Sequence, residues 1–315
     1  MSDSAFLTRL NDSVTVKVSR ALPATPSAFR SWVESWMLDA LGTLTGPDLD
    51  PFANALDLKG RASVLRRPGV PYGEPGELWG TLWVDPAYRP GRSTKSSGQV
   101  WTPKNWDAFL GRLEEVPMKA RVSMHRLAGD GFPGPVHWQA YMVREVDAPD
   151  FGTLSVRRSS QEFTDPATSE EVQRRWLDFL HRRLAADPEV LFGSLADDGE
   201  SSTNRTELEA ALGLFADETV PELDSVLRGY SWVTVCSDGV TRRLGGAESL
   251  KESAAFTRVV PLSGGGVLLQ ATEDIREYGP ERVAAVFDRL RTVLPSGTPV
   301  PGYQSHVPRL VFEAP

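Results

Sequence analysis

Cysteine is almost absent from this sequence. Cys236 is the one cysteine among 315 residues, so no disulfide can form within the chain and no thiolate set exists for a structural zinc or iron–sulfur centre. Histidine is nearly as scarce: His125, His137, His181 and His306 form no HExxH, HxH or Cys–His spacing. We therefore expect neither a metal nor a cofactor. Long apolar runs are missing as well, since no stretch approaches the ~20 residues of a membrane span and Met1 to Leu10 lack a basic segment followed by an apolar one. The expected location is cytoplasmic, with no membrane partner. Positive charge is in deficit, with 34 Lys and Arg against 42 Asp and Glu for a net charge of −8, which argues against a broad electrostatic grip on nucleic acid.

What is present is the composition of a soluble globular protein, 40% hydrophobic and 24% charged. The length accommodates two domains, and the element order predicts a division into residues 1–148 and 149–315. Val14 to Ser19 alternates like a strand, and Ser27 to Leu41 places Phe29, Trp32, Val33, Trp36, Met37 and Ala40 on one helical stripe. Residues 46–57 read as loop, 61–66 as a short strand, 78–84 as a strand, and the basic Arg89 to Gly98 as a loop before a helix that begins at Trp101-Thr-Pro103. Two antiparallel strands, 119–127 and 136–146, flank a turn-rich segment.

The order then restarts, with a strand at 153–158, a helix at 169–185 and a strand at Leu191-Phe-Gly-Ser-Leu195 that mirrors Leu78-Trp-Gly-Thr-Leu82. Helices are expected at 220–227, 240–251 and 280–294, a strand at 231–237, and a hairpin joined through Ser263-Gly-Gly-Gly266. The predicted fold class is α+β: two similar units, each an antiparallel-rich sheet with helices against one face, with internal duplication as the working hypothesis.

No residue set specifies a reaction. Cys236 alternates with Trp232 and Thr234 in a strand and has no adjacent base, which predicts a buried thiol rather than a nucleophile. A GxSxG elbow, a Walker sequence and a GxGxxG sequence are all missing, and Gly264 to Gly266 precede Val-Leu-Leu rather than a helix, so they read as a turn. Trp101 and Trp106 beside Lys104 and the basic Arg89, Arg92 and Lys95 read as packing aromatics next to a solvated loop. His125 shares an alternating face with Arg121 and Ser123, and His137, Gln139 and Tyr141 share one on the following strand. Paired, these strands would gather the polar residues into a recognition surface; the same alternation also describes any half-buried hairpin.

Charge is uneven along the chain. Asp187 to Asp224 holds 11 acidic residues, among them Asp197, Asp198 and Glu200, and one basic residue, Arg205, for a net −10 that leaves +2 on the remainder. Such a segment can steer a basic partner, and it also describes a solvated linker. Asp197-Asp198-Gly-Glu200 lacks the cadence of an EF-hand.

Tyr230-Ser-Trp-Val-Thr-Val-Cys236, Arg243-Leu-Gly-Gly246 and Gly264-Gly-Gly-Val-Leu-Leu-Gln-Ala271 before a final amphipathic helix resemble the type VI immunity family of polymorphic toxin systems. The resemblance covers mainly residues 150–315. It implies a non-catalytic antidote that binds a cognate toxin, with no motif that fixes the contact residues. The expected partner-binding residues are therefore Asp197, Asp198 and Glu200 from the acidic segment and His125, His137, Gln139 and Tyr141 from the sheet face. Two readings from other classes stand beside this one: an enzyme with a site assembled between the two units around His125, His137 and Tyr141, and a structural subunit of a larger assembly.

Overall fold

The computed structural model describes residues 13–44, 69, 71–87, 96–197 and 204–301. The predicted loop at 46–57, the predicted strand at 61–66 and the basic residues Arg89, Arg92 and Lys95 lie outside the described residues. The fold is α+β, and the strands pair antiparallel in two compact units. One unit is Leu22–Arg158; the other joins the first 21 residues, which include strand β1 (Ser13–Ala21), to the residues from Ser159 onward.

The Leu22–Arg158 unit starts with helix α1 (Pro26–Leu44), whose buried stripe is the predicted one from Phe29 to Ala40 extended by Leu41 and Leu44. Strands β2 (Leu78–Asp85) and β3 (Ser97–Val100) follow. Ser97 and Gly98 were expected to be loop, but they pair with Val84 and Trp83 of β2, and the backbone bonds outweigh the flexible composition. Helix α2 (Pro103–Leu113) is set by Thr102, whose hydroxyl accepts from the Asn105 N–H at 3.1 Å, with Pro103 in the first turn. Trp101 and Trp106 stack at 5.4 Å and are buried, in agreement with a packing role. Strands β4 (Lys119–Leu127), β5 (Pro133–Arg144) and β6 (Phe151–Ser159) complete the order β3-β2-β4-β5-β6.

One face of this sheet is apolar: Leu82 lies opposite Val122, Val122 opposite Ala140, and Ala140 opposite Val156, all buried. Helix α1 lies on it, since a Cβ added to Gly152 would come within 3.0 Å of the Trp32 ring.

In the other unit, helix α3 (Ser169–Ala186) buries Val172, Trp176, Phe179, Leu180 and Leu184. Strand β7 (Phe192–Ala196) pairs with β1, and Val18 stands opposite Gly193. Helix α4 (Glu207–Leu212) and the one-turn helix Ala216–Thr219 lead to strand β8 (Val233–Cys236). Helices α5 (Asp238–Arg243) and α6 (Gly246–Lys251), the hairpin β9 (Arg258–Pro261) and β10 (Val267–Gln270), and helix α7 (Pro280–Leu290) follow. The sheet order is β1-β7-β8-β10-β9.

Two predicted helices differ from what forms. Residues 220–227 give only a 3₁₀ turn, Val220–Glu222, because the Leu227 N–H donates to the Val293 carbonyl instead of continuing a helical ladder. The span 240–251 is two helices, broken where Gly245 adopts φ +87°. Among the described residues no helix is long and apolar enough to cross a membrane.

Candidate functional site

The polar face of the Leu22–Arg158 unit is built by register. Ser123 lies opposite Gln139 and Arg121 opposite Tyr141, so the expected convergence of these residues occurs. Gln139 Nε2 donates to Ser123 Oγ at 2.7 Å, and both side chains are buried, as is Tyr141. The exposed member is Arg121, whose guanidinium stands 5.5 Å from the Trp83 ring centre. Trp83 is itself held by its Nε1–H, which donates to Asp85 at 2.9 Å.

The two histidines are held by separate partners. A register shift between Met124 and His125 sets His125 opposite Val136 rather than His137. His125 packs 5.7 Å from the Trp79 ring, and its Nδ1 lies 2.9 Å from the Gly134 carbonyl, an acceptor that requires the proton on Nδ1. His137 Nε2 instead lies 3.5 Å from a guanidinium nitrogen of Arg158. Both imidazoles are half-buried.

The acidic segment separates into inward and outward groups. Asp187 and Glu189 both pair with Arg20. Asp197 is buried and lines a small pocket with Thr206, Glu207, Tyr230 and Tyr278, while Asp198 and Glu200 lie outside the described residues. Glu218, Glu222 and Asp224 face solvent.

Glu209 is the most deeply committed acid. Its carboxylate accepts from Arg228 Nε at 2.8 Å, Arg228 Nη2 at 3.0 Å, the Thr206 N–H at 2.6 Å and the Thr219 hydroxyl. Burial pushes its pKa up, but the Arg228 charge and these hydrogen bonds outweigh burial and hold it below the ordinary carboxylate value. The reciprocal bond, Glu209 N–H to Thr206 Oγ1 at 3.1 Å, completes a capping box on α4.

At the other end of α4, Gly213 turns left-handed at φ +73°, and the Leu214 N–H returns to the Glu209 carbonyl at 2.9 Å. The chain then presents Phe215, 60% exposed. Sequence reasoning did not single out Phe215, Glu209 or Arg228. The Thr206-x-x-Glu209 spacing is the available signal, a capping-box pattern that lies within a run whose charge dominates its appearance.

Cys236 is buried, and burial pushes its thiol up to about 12, so it is not a thiolate at neutral pH. Gly265 at φ +82° closes a turn in which the Leu262 N–H reaches the Gly266 carbonyl, a hairpin turn as expected. Among the described residues no three or more His, Cys, Asp or Glu side chains gather as metal ligands.

No family model matches the chain. No curated protein matches it either. A solved structure of a Pseudomonas aeruginosa T6SS protein, PA0821, is similar over 94% of this chain and 79% of that chain, with 13% identity and a TM-score of 0.49.

Proposed function

We propose that this protein is a non-catalytic binding protein, an immunity protein that neutralises a cognate toxin by occupying its surface. The observation that supports the reading is the spatial grouping of the three segments that resemble the type VI immunity family. Thr234 of the first segment lies opposite Leu269 of the third, and the second segment supplies the left-handed Gly245 between the helices that follow β8. The resemblance therefore belongs to one folded piece of sheet and its turns rather than to scattered short words.

In the same unit Glu218, Glu222 and Asp224 are exposed, a charge pattern suited to a basic partner. His125, His137, Gln139 and Tyr141 remain proposed contacts on the other unit, where Lys119 and Arg121 are exposed on the same face of β4.

The test assays the products of the genes that flank this one for toxicity, alone and with the full chain; the absence of any toxic product among them counts against the proposal. A stable complex that abolishes toxin activity at stoichiometric amounts is the expected result. A toxin left fully active by excess chain, or multiple turnovers of a metabolite by the isolated chain, overturns the proposal.

A further inference from the structure

A small pocket lies wholly within the unit that carries β7 and β8. The two charged residues of its wall are both acids, Asp197 just after β7 and Glu207 in the first turn of α4. Three large aromatic residues share that wall: Tyr230 and Trp232, which lead into β8, and Tyr278, just before α7. Asp197 and the three aromatics are each no more than 7% exposed. The wall is also fixed, since the Trp232 Nε1–H donates to the Thr272 carbonyl at 2.8 Å and the Tyr278 N–H to the Ile275 carbonyl at 3.2 Å.

The cations nearby leave the charge of this wall negative. Arg228 stands 5.8 Å from the ring centre of Phe192, another wall residue, and is matched by Glu209 in full burial, so it adds no net charge. Arg205 is held along α4 by the Glu209 and Ala210 carbonyls, with its guanidinium against the Phe215 ring. Lys17 lies opposite Ser194 of the wall and places its ammonium on the Arg205 carbonyl; acids outnumber cations even when it is counted.

We propose that this pocket is a binding site for a guanidinium group. Asp197 and Glu207 repel an anion, and an apolar occupant would strip water from their carboxylates and replace none of its hydrogen bonds. A cation gains from the carboxylates and from the aromatic rings together. Between the two biological organic cations the aromatic wall selects guanidinium, which is planar and weakly hydrated, stacks on rings and presents a fork of donors to a carboxylate. The inference concerns the pocket alone and stands whether or not the chain neutralises a toxin. The group can be carried by an arginine side chain or by a small molecule.

The experiment titrates ethylguanidinium chloride into the nitrogen-15-labelled full chain and follows the indole N–H resonance of Trp232, identified by its loss in Trp232→Phe. A saturable shift is expected, with a dissociation constant on the order of 1 mM for so small a ligand, while indoles outside the pocket such as those of Trp36 and Trp176 stay in place. Propylammonium should bind more weakly and acetate should not bind. Asp197→Asn and Glu207→Gln are each expected to weaken ethylguanidinium binding about 10-fold, the worth of one charge-assisted hydrogen bond. Unfolding curves establish which variants are folded, and half-buried Glu207 supplies the variant that keeps the test open if Asp197→Asn does not fold. A shift that fails to saturate, or that moves all nine indoles alike, overturns the site. Unchanged affinity in every folded variant overturns the part played by the acids, and propylammonium or acetate binding as tightly overturns the choice of ligand. A capped tripeptide with a central arginine distinguishes the sources: competition with ethylguanidinium supports a protein arginine as the ligand, whereas its exclusion while ethylguanidinium binds supports a small guanidine.

Discussion

Arg228 and Glu209 form an ion pair at 2.8 Å in which both side chains are fully buried. Such a pair is tolerable only because it is saturated: Arg228 Nη1 also reaches Ser19 Oγ at 3.1 Å and Nη2 reaches the Asn204 carbonyl at 2.7 Å. The pair thereby joins β1, the residues before α4 and α4 itself into one polar interior. Removing either charge strands the other. Arg228→Met is expected to cost about 3–5 kcal/mol in urea unfolding, and Glu209→Gln to destabilise in the same direction. The double variant Arg228→Met/Glu209→Leu should recover much of the loss, since no charge is left buried.

Acid should lower the stability of the fold in two pH windows. His181 is held below its ordinary value by burial first and by the Arg258 charge second, with Asp178 opposing. Its neutral form is favoured by folding, so nothing is lost above the unfolded value of about 6.5, and stability falls as pH drops below it. Glu209 is likewise held low in the folded state, burial opposing and Arg228 prevailing. Its contribution is present above an unfolded value of about 4.3 and is lost as pH falls through the lower folded value. Unfolding free energies measured from pH 8 to pH 3 should decline in both windows, and His181→Gln should remove the upper one.

Much of the fold was legible because local periodicity reports local structure. The stripe from Phe29 to Ala40 and the alternation around Ser123 and Gln139 specify a helix and two strands whose inner faces are buried as read. Long-range choices were not legible. Alternation marks Lys17 as a strand residue, yet it is completely buried and its ammonium donates to the Arg205 carbonyl, 188 positions away, a contact no local pattern announces. The shift at His125 depends on how β4 pairs with β5, and it separates two histidines that a regular register would bring together. The acidic run looked uniform as a string. Whether an acid turns inward like Glu209 or outward like Glu222 is decided by the presence of a partner such as Arg228, which lies beyond the run.

Cys236 should be chemically silent. Its thiol is buried on β8 between Phe192 of β7 and Val267 of β10, and burial pushes it up to about 12. At pH 8 the folded chain is expected to react with a disulfide reagent only through unfolding, giving one equivalent in denaturant and a rate without denaturant that follows the opening equilibrium. Rapid native labelling would contradict the burial. Cys236→Ala should lose stability through the small cavity it creates.

Two glycines separate backbone strain from crowding. Gly265 at φ +82° and Gly246 at φ +83° have nearly the same conformation, but a Cβ on Gly265 would lie 2.7 Å from Asp238 Oδ1, whereas one on Gly246 meets nothing within 4 Å. Left-handed backbone costs an alanine about 1–2 kcal/mol, so Gly246→Ala should lose that amount alone. The Asp238 side chain is 46% exposed and pairs with Arg242 at 2.9 Å, so it can swing away from a new methyl group at the expense of a surface ion pair. That adds no more than about 1 kcal/mol to the cost of Gly265→Ala. Parallel urea titrations should thus rank Gly265→Ala below Gly246→Ala by a small margin. A loss several times larger at Gly265 would mean that the Asp238 carboxylate is fixed in place, and the pairing of β9 with β10 would then depend on that contact rather than on backbone conformation.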